Sequence, residues 1–151
     1  MQSIVQSIYR SSSPLNIRAH FHDCHQIIFI VKGEVNFSVN NKSLRAAAGN
    51  IAIFSRYENH LASECSDDYE RFVLHIESDV ANQKSTVYSL LTDRPVGFCN
   101  IINVSSNMAE ITEIFHRILS EHNNPSKLSE EMKQLLVKQL LITIYRCTSI
   151  C

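Results

Sequence analysis

The chain has 151 residues, enough for one domain, and 44% of them are hydrophobic, so it can bury a core without disulfide staples. Its 14 basic and 15 acidic residues give a formal net charge of −1 with no marked Lys/Arg cluster, which argues against a strongly basic nucleic-acid-binding protein. No apolar run approaches the roughly 20 residues that span a bilayer, and the N-terminus lacks the apolar region of a secretory signal, so we expect a cytoplasmic protein with no membrane partner.

The first two thirds of the sequence has the pattern of a β-protein. Residues 1–17 form a polar arm, in which Ser-Ser-Ser-Pro at 11–14 predicts a loop. Asn40 and Asn41 predict a hairpin turn, because Asn tolerates positive φ. We predict strands over 26–32, 35–39, 43–47, 51–54, 60–65 and 69–76. Short strands separated by turns every 8–12 residues or so predict an all-β sandwich or barrel.

The hydrophobic period becomes helical from Asn107 onward. The segment 122–125, which contains Asn-Asn-Pro, ends the first helix. A second helix begins at Ser126 or Ser129 and runs to about Cys147. So short a connection predicts an antiparallel helix pair.

The second helix carries two apolar stripes. One consists of Leu128, Met132, Leu135 and Ile142. The other consists of Val137, Leu140, Leu141, Ile144 and Tyr145. A helix that is apolar nearly all round is buried on both sides. We therefore expect one stripe to pack on the domain's own core and the other, the Val137 to Tyr145 stripe, to form a homodimer interface, unless the barrel and the first helix cover both.

A cluster of histidines is the richest source of chemistry. His20, His22 and His25 lie within six residues, just before an apolar strand. Strand alternation puts His20, His22 and Gln26 on one face and His25 on the other, where we expect it to be structural. His60 is a fourth candidate from a later strand.

The order and spacing of these segments resemble a known family. The HxH at 20–22 followed by Gln26 and Gly33 resembles the first cupin motif, with Gln in the place usually held by Glu, and 49–60 resembles the second. Together with the arm, the IIFIVKGEVNFSV strand pair and the two helices, residues 15–147 resemble the N-terminal effector-binding and dimerisation domain of AraC-type transcription regulators.

The resemblance implies a mainly β fold, in which a cupin-like barrel (a double-stranded β-helix or jelly roll) precedes an antiparallel pair of α-helices. It divides the chain into an N-terminal arm at 1–17, the barrel with its connecting segment at 18–104, and a two-helix dimerisation region at 105–151. Family members carry helix-turn-helix units in a C-terminal domain. We expect DNA to be contacted only through such a domain, which these residues do not contain.

The function implied by the resemblance is ligand sensing, without catalysis or a required cofactor. A small-molecule effector would bind inside the barrel, and the arm would fold over the occupied site. The expected ligand-binding side chains are those of Arg18, His20, His22, Gln26 and His60.

Two other functions stay open at this point. In the first, His20, His22 and His60 hold a divalent metal, with Gln26 as a weaker fourth ligand, and the protein is a metal-dependent cupin enzyme. In the second, the domain is a binding module without catalysis and without a DNA-binding partner domain.

Overall fold

The structure, a computed structural model, describes residues 3–13, 23–56, 58–81 and 84–148. Its strands form two antiparallel sheets. In chain order the strands are β1 (Val5–Ser11), β2 (Cys24–Lys32), β3 (Glu34–Val39), β4 (Lys42–Ala47), β5 (Asn50–Phe54), β6 (His60–Ser63), β7 (Glu70–Glu77) and β8 (Ile101–Asn103). One sheet has the order β1-β7-β2-β5-β8 and the other the order β4-β3-β6.

The predicted hairpin turn connects β3 and β4. Val39 pairs with Lys42, which leaves Asn40 and Asn41 as a two-residue loop. Both asparagines have positive φ, at 48° and 65°. Positive φ at both central positions matches the twist of the flanking strands, so the register of this hairpin follows from its turn residues.

The two faces of the five-stranded sheet belong to different cores. Ile28 and Phe54 face the three-stranded sheet, where they pack with Phe37. Their strand neighbours Ile27 and Ile53 face the opposite way and pack beneath the helices. β2 is therefore buried on both faces, which explains its nearly continuous apolar sequence. The space between the two sheets is the barrel interior.

The structure partly corrects the prediction that residues 1–17 form a polar arm, because part of this segment is a strand. Residues 5–11 pair with β7 as the edge strand of the larger sheet. Ile4, Val5 and Ile8 are buried, but they do not alternate strictly because the register shifts between Val5 and Ser7. Such an irregularity removes the period-2 pattern by which a strand is recognised.

Four helices follow or connect the strands in the described part of the chain. They are α1 (Ser78–Ala81), α2 (Ser89–Thr92), α3 (Met108–Asn123) and α4 (Ser129–Cys147). Ser129, one of the two predicted first residues, begins α4; its hydroxyl accepts from the Ser126 N–H at 2.7 Å and donates to Glu121 of α3 at 2.7 Å. These bonds fix the tight connection that makes α3 and α4 antiparallel neighbours.

The expected roles of the two stripes on α4 are reversed. Val137, Leu140, Leu141 and Ile144 are buried in the chain's own core, and Tyr145 packs against it. The premise that this stripe needs a second subunit is therefore wrong. The exposed apolar side chains belong to the other stripe: Leu128, Leu135 and Ile142. Both stripes have the same period, and only the position of the sheet decides which one is covered.

In the described segments, no helix is both long enough and apolar enough to cross a membrane.

Candidate functional site

The barrel interior holds the described members of the predicted ligand-binding set. Gln26 lies on β2 and His60 begins β6. The predicted contacts Arg18, His20 and His22 lie outside the described residues, so their roles stay predictions.

Gln26 is a polar group that the described residues leave unsatisfied in this space. Its side chain is only 6% exposed, and its amide oxygen Oε1 has no hydrogen-bond partner among the described residues. In the sheet it stands opposite Phe54 of β5 on one side and His75 of β7 on the other. A buried acceptor without a donor costs about 1–3 kcal/mol, so a ligand that donates a hydrogen bond here would recover that energy.

His60 is held in one orientation by its neighbours. Its ring is stacked on Phe54 with centroids 4.0 Å apart and planes 4° apart. Its Nδ1 lies 3.1 Å from the carbonyl oxygen of Glu58. A carbonyl can only accept, so Nδ1 donates and carries the proton, which leaves the lone pair of a neutral ring on Nε2. Phe54 thus neighbours both Gln26 and His60 and brings the two predicted residues to one part of the barrel.

The loop before His60 is fixed by a nearly buried ion pair. The Glu58 carboxylate accepts from Arg94 at 2.8 Å, from Asn100 at 3.2 Å and from the Ser55 N–H at 3.1 Å. Arg94 also donates to the carbonyls of Leu90 and of Ile53. The segment after α2 therefore holds the loop that presents His60.

His75 is a barrel residue that the sequence-based interpretation missed. It is not among the predicted ligand-binding residues, yet it is buried beside Gln26 in the register of β2 and β7. Its Nδ1 shares a hydrogen bond with the hydroxyl of Ser7 on β1. The signal is present in the sequence, because alternation along the strand predicted at 69–76 puts Phe72, Leu74 and Ile76 on one face and His75 on the other.

His25 lies outside the barrel, as strand alternation predicts. Its ring is 2% exposed, and its Nδ1 accepts from the backbone N–H of Arg56 at 3.1 Å. Burial, together with the charges of Arg94 and Arg56, lowers the pKa of His25 from 6.5 to about 4. His25 is therefore neutral at pH 7. It cannot join His60 in a common metal site, because it lies on the face of β2 that points away from the barrel interior.

A metal centre is not assembled by the described residues. Among them, no three His, Cys, Asp or Glu side chains are grouped closely enough to hold an ion. Two members of the predicted triad, His20 and His22, lie outside those residues, so the triad with His60 stays a prediction. His60 itself fits a metal-ligand role, since a neutral imidazole ligates through its unprotonated nitrogen.

A polar cavity of about 330 Å³ opens beside His60 at one end of the barrel. It is lined by Ser38, Asn40, Asn41, Asn59, His60 and Leu61. The hairpin turn and the loop that precedes β6 therefore meet at this opening, which gives small polar molecules a place to contact His60.

Solved structures share this architecture at low sequence identity. The AraC-like transcriptional activator CuxR is 8% identical with a TM-score of 0.55, over 83% of this chain and 42% of that one. ToxT K231A from Vibrio cholerae, solved without ligand, is 15% identical with a TM-score of 0.53, over 93% of this chain and 52% of that one. The chain thus spans about half the length of these proteins. A further ToxT structure contains an unsaturated fatty acid; it is 16% identical with a TM-score of 0.47, over 95% of this chain and 52% of that one.

These likenesses confirm the predicted fold class, a mainly β cupin-like architecture followed by a helix pair. No curated protein matches the sequence. The AraC-like ligand binding domain, in contrast, matches residues 8–136, most of the chain. The chain therefore belongs to the family of AraC-like ligand-binding domains, which places it among ligand-binding domains rather than enzymes.

Proposed function

We propose that the barrel binds a small-molecule effector and that this binding is the sensing step of an AraC-type transcription regulator. The observation that carries the proposal is the buried Oε1 of Gln26, which has no hydrogen-bond partner in the part of the chain that the structure describes. Interiors rarely keep such a group unless a water or ligand completes it. DNA contact would belong to a C-terminal helix-turn-helix domain.

The chemistry of the interior limits the effector. Gln26 is neutral and offers an acceptor, so the effector presents a hydroxyl or N–H donor to it. Apolar side chains surround this position, as in most ligand pockets, where a few polar groups fix orientation. Arg18, His20 and His22 complete the site in this proposal and would contact the polar groups that Gln26 and His60 do not reach.

The test is a thermal-shift screen of small metabolites, followed by calorimetry on each stabilising compound. Gln26→Leu removes the acceptor while preserving bulk. We expect it to weaken binding of a true effector by about tenfold or more, since one hydrogen bond in a buried site contributes about 1.5 kcal/mol. Gln6→Leu makes the same change at an exposed position of β1 and should leave affinity unchanged.

Equal affinity in the wild type and in Gln26→Leu would place the effector elsewhere. If a compound binds Gln26→Leu and Gln6→Leu equally weakly, the loss of affinity comes from a general effect of the Leu substitutions on the barrel and not from the Gln26 acceptor. Native mass spectrometry of the purified chain provides an independent search, because a co-purified molecule appears directly as added mass.

We further propose that the domain forms a homodimer through the exposed face of α4. Leu135 is 61% exposed and Ile142 is 37% exposed, although both lie on the main helix of the domain. The same face carries Glu131 at one end and Arg146 at the other. An apolar pair flanked by opposite charges is the composition of a small helix–helix interface.

The order of these side chains favours an antiparallel arrangement. Leu135 and Ile142 are equally distant from the midpoint between residues 138 and 139, and so are Glu131 and Arg146. A two-fold axis at that midpoint places Leu135 of one subunit against Ile142 of the other and Glu131 against Arg146. A parallel arrangement would place like charges together.

Charge exchange tests this arrangement. Glu131→Arg and Arg146→Glu should each weaken dimerisation, because each creates two like-charge contacts across the two-fold axis. The double exchange should restore the opposite-charge pairing and recover most of the affinity. Sedimentation velocity across a concentration series measures the dimer Kd.

Two outcomes would contradict the proposal. If the double exchange dimerises no better than the single variants, the antiparallel arrangement is wrong. If the wild-type chain stays monomeric at all accessible concentrations, the proposed homodimer is wrong. Neither result bears on effector binding inside the barrel.

A further inference from the structure

A second cavity lies on the outer face of the five-stranded sheet, away from the barrel interior. It has a volume of about 220 Å³ and is bounded by β2, the end of β5, α1 and α2. Its walls are His25, Ser55, Arg56, Ser78, Leu91 and Thr92. Because His25 and Gln26 are successive residues of one strand, this cleft and the barrel interior open on opposite faces.

His25 supplies the cleft wall with an unsatisfied donor. Its Nδ1 accepts from the Arg56 N–H, so the neutral ring carries its proton on Nε2. Nε2 is buried and has no hydrogen-bond partner among the described residues. The backbone bond fixes the tautomer, and the fold thereby leaves an N–H group whose natural complement is an acceptor from outside the chain.

The charges near the ring favour an anion as that acceptor. Arg56 and Arg94 both disfavour the protonated form of His25, in addition to the larger effect of burial. Arg56 is paired at 2.9 Å with Asp23 and at 3.8 Å with Asp79, and these carboxylates are largely exposed. The charges that act on the His25 ring are thus positive, and a positive environment attracts a negatively charged group.

The remaining wall residues narrow the class of anion. Ser55 and Ser78 add hydroxyl groups, and Leu91 adds an aliphatic surface. An apolar cavity of about 150 Å³ accommodates benzene, so this cleft has room for a headgroup and a short hydrocarbon tail. A metal cation is disfavoured, since the cleft presents N–H donors and a guanidinium rather than carboxylate ligands.

We propose that this cleft is a second ligand site, separate from the effector site of the barrel, and that it binds a small monocarboxylate. One carboxylate oxygen accepts the hydrogen bond from His25 Nε2, and the other faces the guanidinium of Arg56. The tail of the ligand packs on Leu91. Such a ligand would contact both β2, which carries Gln26, and α2. The Leu90 carbonyl of α2 accepts from Arg94, which in turn holds the loop of His60 through Glu58.

Butyrate is the probe for the test, with sodium chloride at matched ionic strength as the reference. On the full chain labelled with ¹⁵N-histidine, NMR should show His25 in the Nε2–H tautomer. Butyrate should shift the His25 ring signals with a Kd of roughly a millimolar, the range expected of so small a ligand. By linkage, bound butyrate should also raise the pKa of His25. Absence of any His25 shift at saturating butyrate would overturn the site.

His25→Asn is the matched variant, because the Asn Oδ1 can replace Nδ1 as acceptor for the Arg56 N–H while Nε2 is removed. We expect butyrate to bind it at least tenfold more weakly by calorimetry. His60→Asn, the same change inside the barrel, should leave butyrate affinity unchanged. If His25→Asn does not fold, Arg56→Gln, which keeps the backbone N–H, should give the same loss.

Three results would overturn the proposal. They are unchanged butyrate affinity in whichever of His25→Asn and Arg56→Gln folds, loss of butyrate binding in His60→Asn, and phosphate binding as tight as butyrate binding. The second would place butyrate in the barrel, and the third would show attraction by charge alone.

Discussion

Leu141 and Ile142 are adjacent in sequence, but one side chain is buried in the core and the other is exposed. The same substitution should therefore change the free energy of unfolding strongly at Leu141 and weakly at Ile142. Leu141 is fully buried between α4 and the outer face of the sheet, whereas Ile142 is 37% exposed. Leu141→Ala removes three buried carbons and leaves a cavity, which costs about 2–5 kcal/mol in folding free energy. Ile142→Ala removes a side chain that keeps 37% of its surface in water, and it replaces a β-branched residue by the best helix former. Its cost to the monomer should therefore be well below that of Leu141→Ala, at about 1 kcal/mol.

Urea denaturation followed by circular dichroism, at one fixed protein concentration, measures both effects. With a slope of about 1.5–2 kcal/mol/M for a domain of this size, a loss of about 3 kcal/mol lowers the midpoint by roughly 1.5–2 M for Leu141→Ala. If the fixed protein concentration is low enough to keep the chain monomeric, Ile142→Ala should unfold within about 0.7 M of the wild-type midpoint. Sedimentation velocity at higher concentration should show that Ile142→Ala weakens the dimer. A folded, monomeric Leu141→Ala with near-wild-type stability would refute the assignment of the two stripes.

Three further predictions concern buried charge and backbone strain. The pKa of His25 is about 4 in the folded chain and 6.5 in the unfolded chain. The contribution of neutral His25 to the free energy of unfolding is therefore complete above pH 6.5 and should fall by about 2–3 kcal/mol as pH decreases to 4. His25→Asn should flatten this part of the stability profile, and an unchanged profile would contradict the prediction. Gly33→Ala should cost more than about 2 kcal/mol, since φ is +77° and a Cβ would lie 2.8 Å from a backbone carbon just before β7. Gly97→Ala, at φ +82° with open space around it, should cost only about 1 kcal/mol, and equal losses in denaturant would refute the steric argument. Arg94→Met should cost about 3 kcal/mol because it leaves the nearly buried Glu58 carboxylate without its partner, and Glu58→Gln in the same chain should recover part of this loss.

The strands of the barrel were predictable because their signals are local. Two asparagines that tolerate positive φ set the β3–β4 hairpin, and alternation along β2 separates Gln26 from His25. β1 was not recognised, since a shift in register interrupts its alternation. Sequence periodicity describes regular elements and carries no information about a residue that the partner strand forces out of register.

The candidate site also contains residues that the sequence predicted and residues that only the folded chain revealed. Gln26 and His60 could be named from their motif spacing, but His75 became a candidate only when the pairing of β2 with β7 placed it beside Gln26. The unpaired donor of His25 depends on the backbone N–H of Arg56, thirty-one residues away. Such contacts join distant segments, so only the folded chain brings them together.

By itself, the sequence of this protein determined the strands from β2 to β7, the helix pair, the two stripes of α4 and the faces of β2, because hydrophobic period and turn chemistry act over a few residues. The tertiary structure alone decided which stripe of α4 is core, through the position of the five-stranded sheet beneath Leu141. It also decided which polar groups lack hydrogen-bond partners among the described residues, because the pairing of Gln26 and His25 depends on every neighbour that packing places around them.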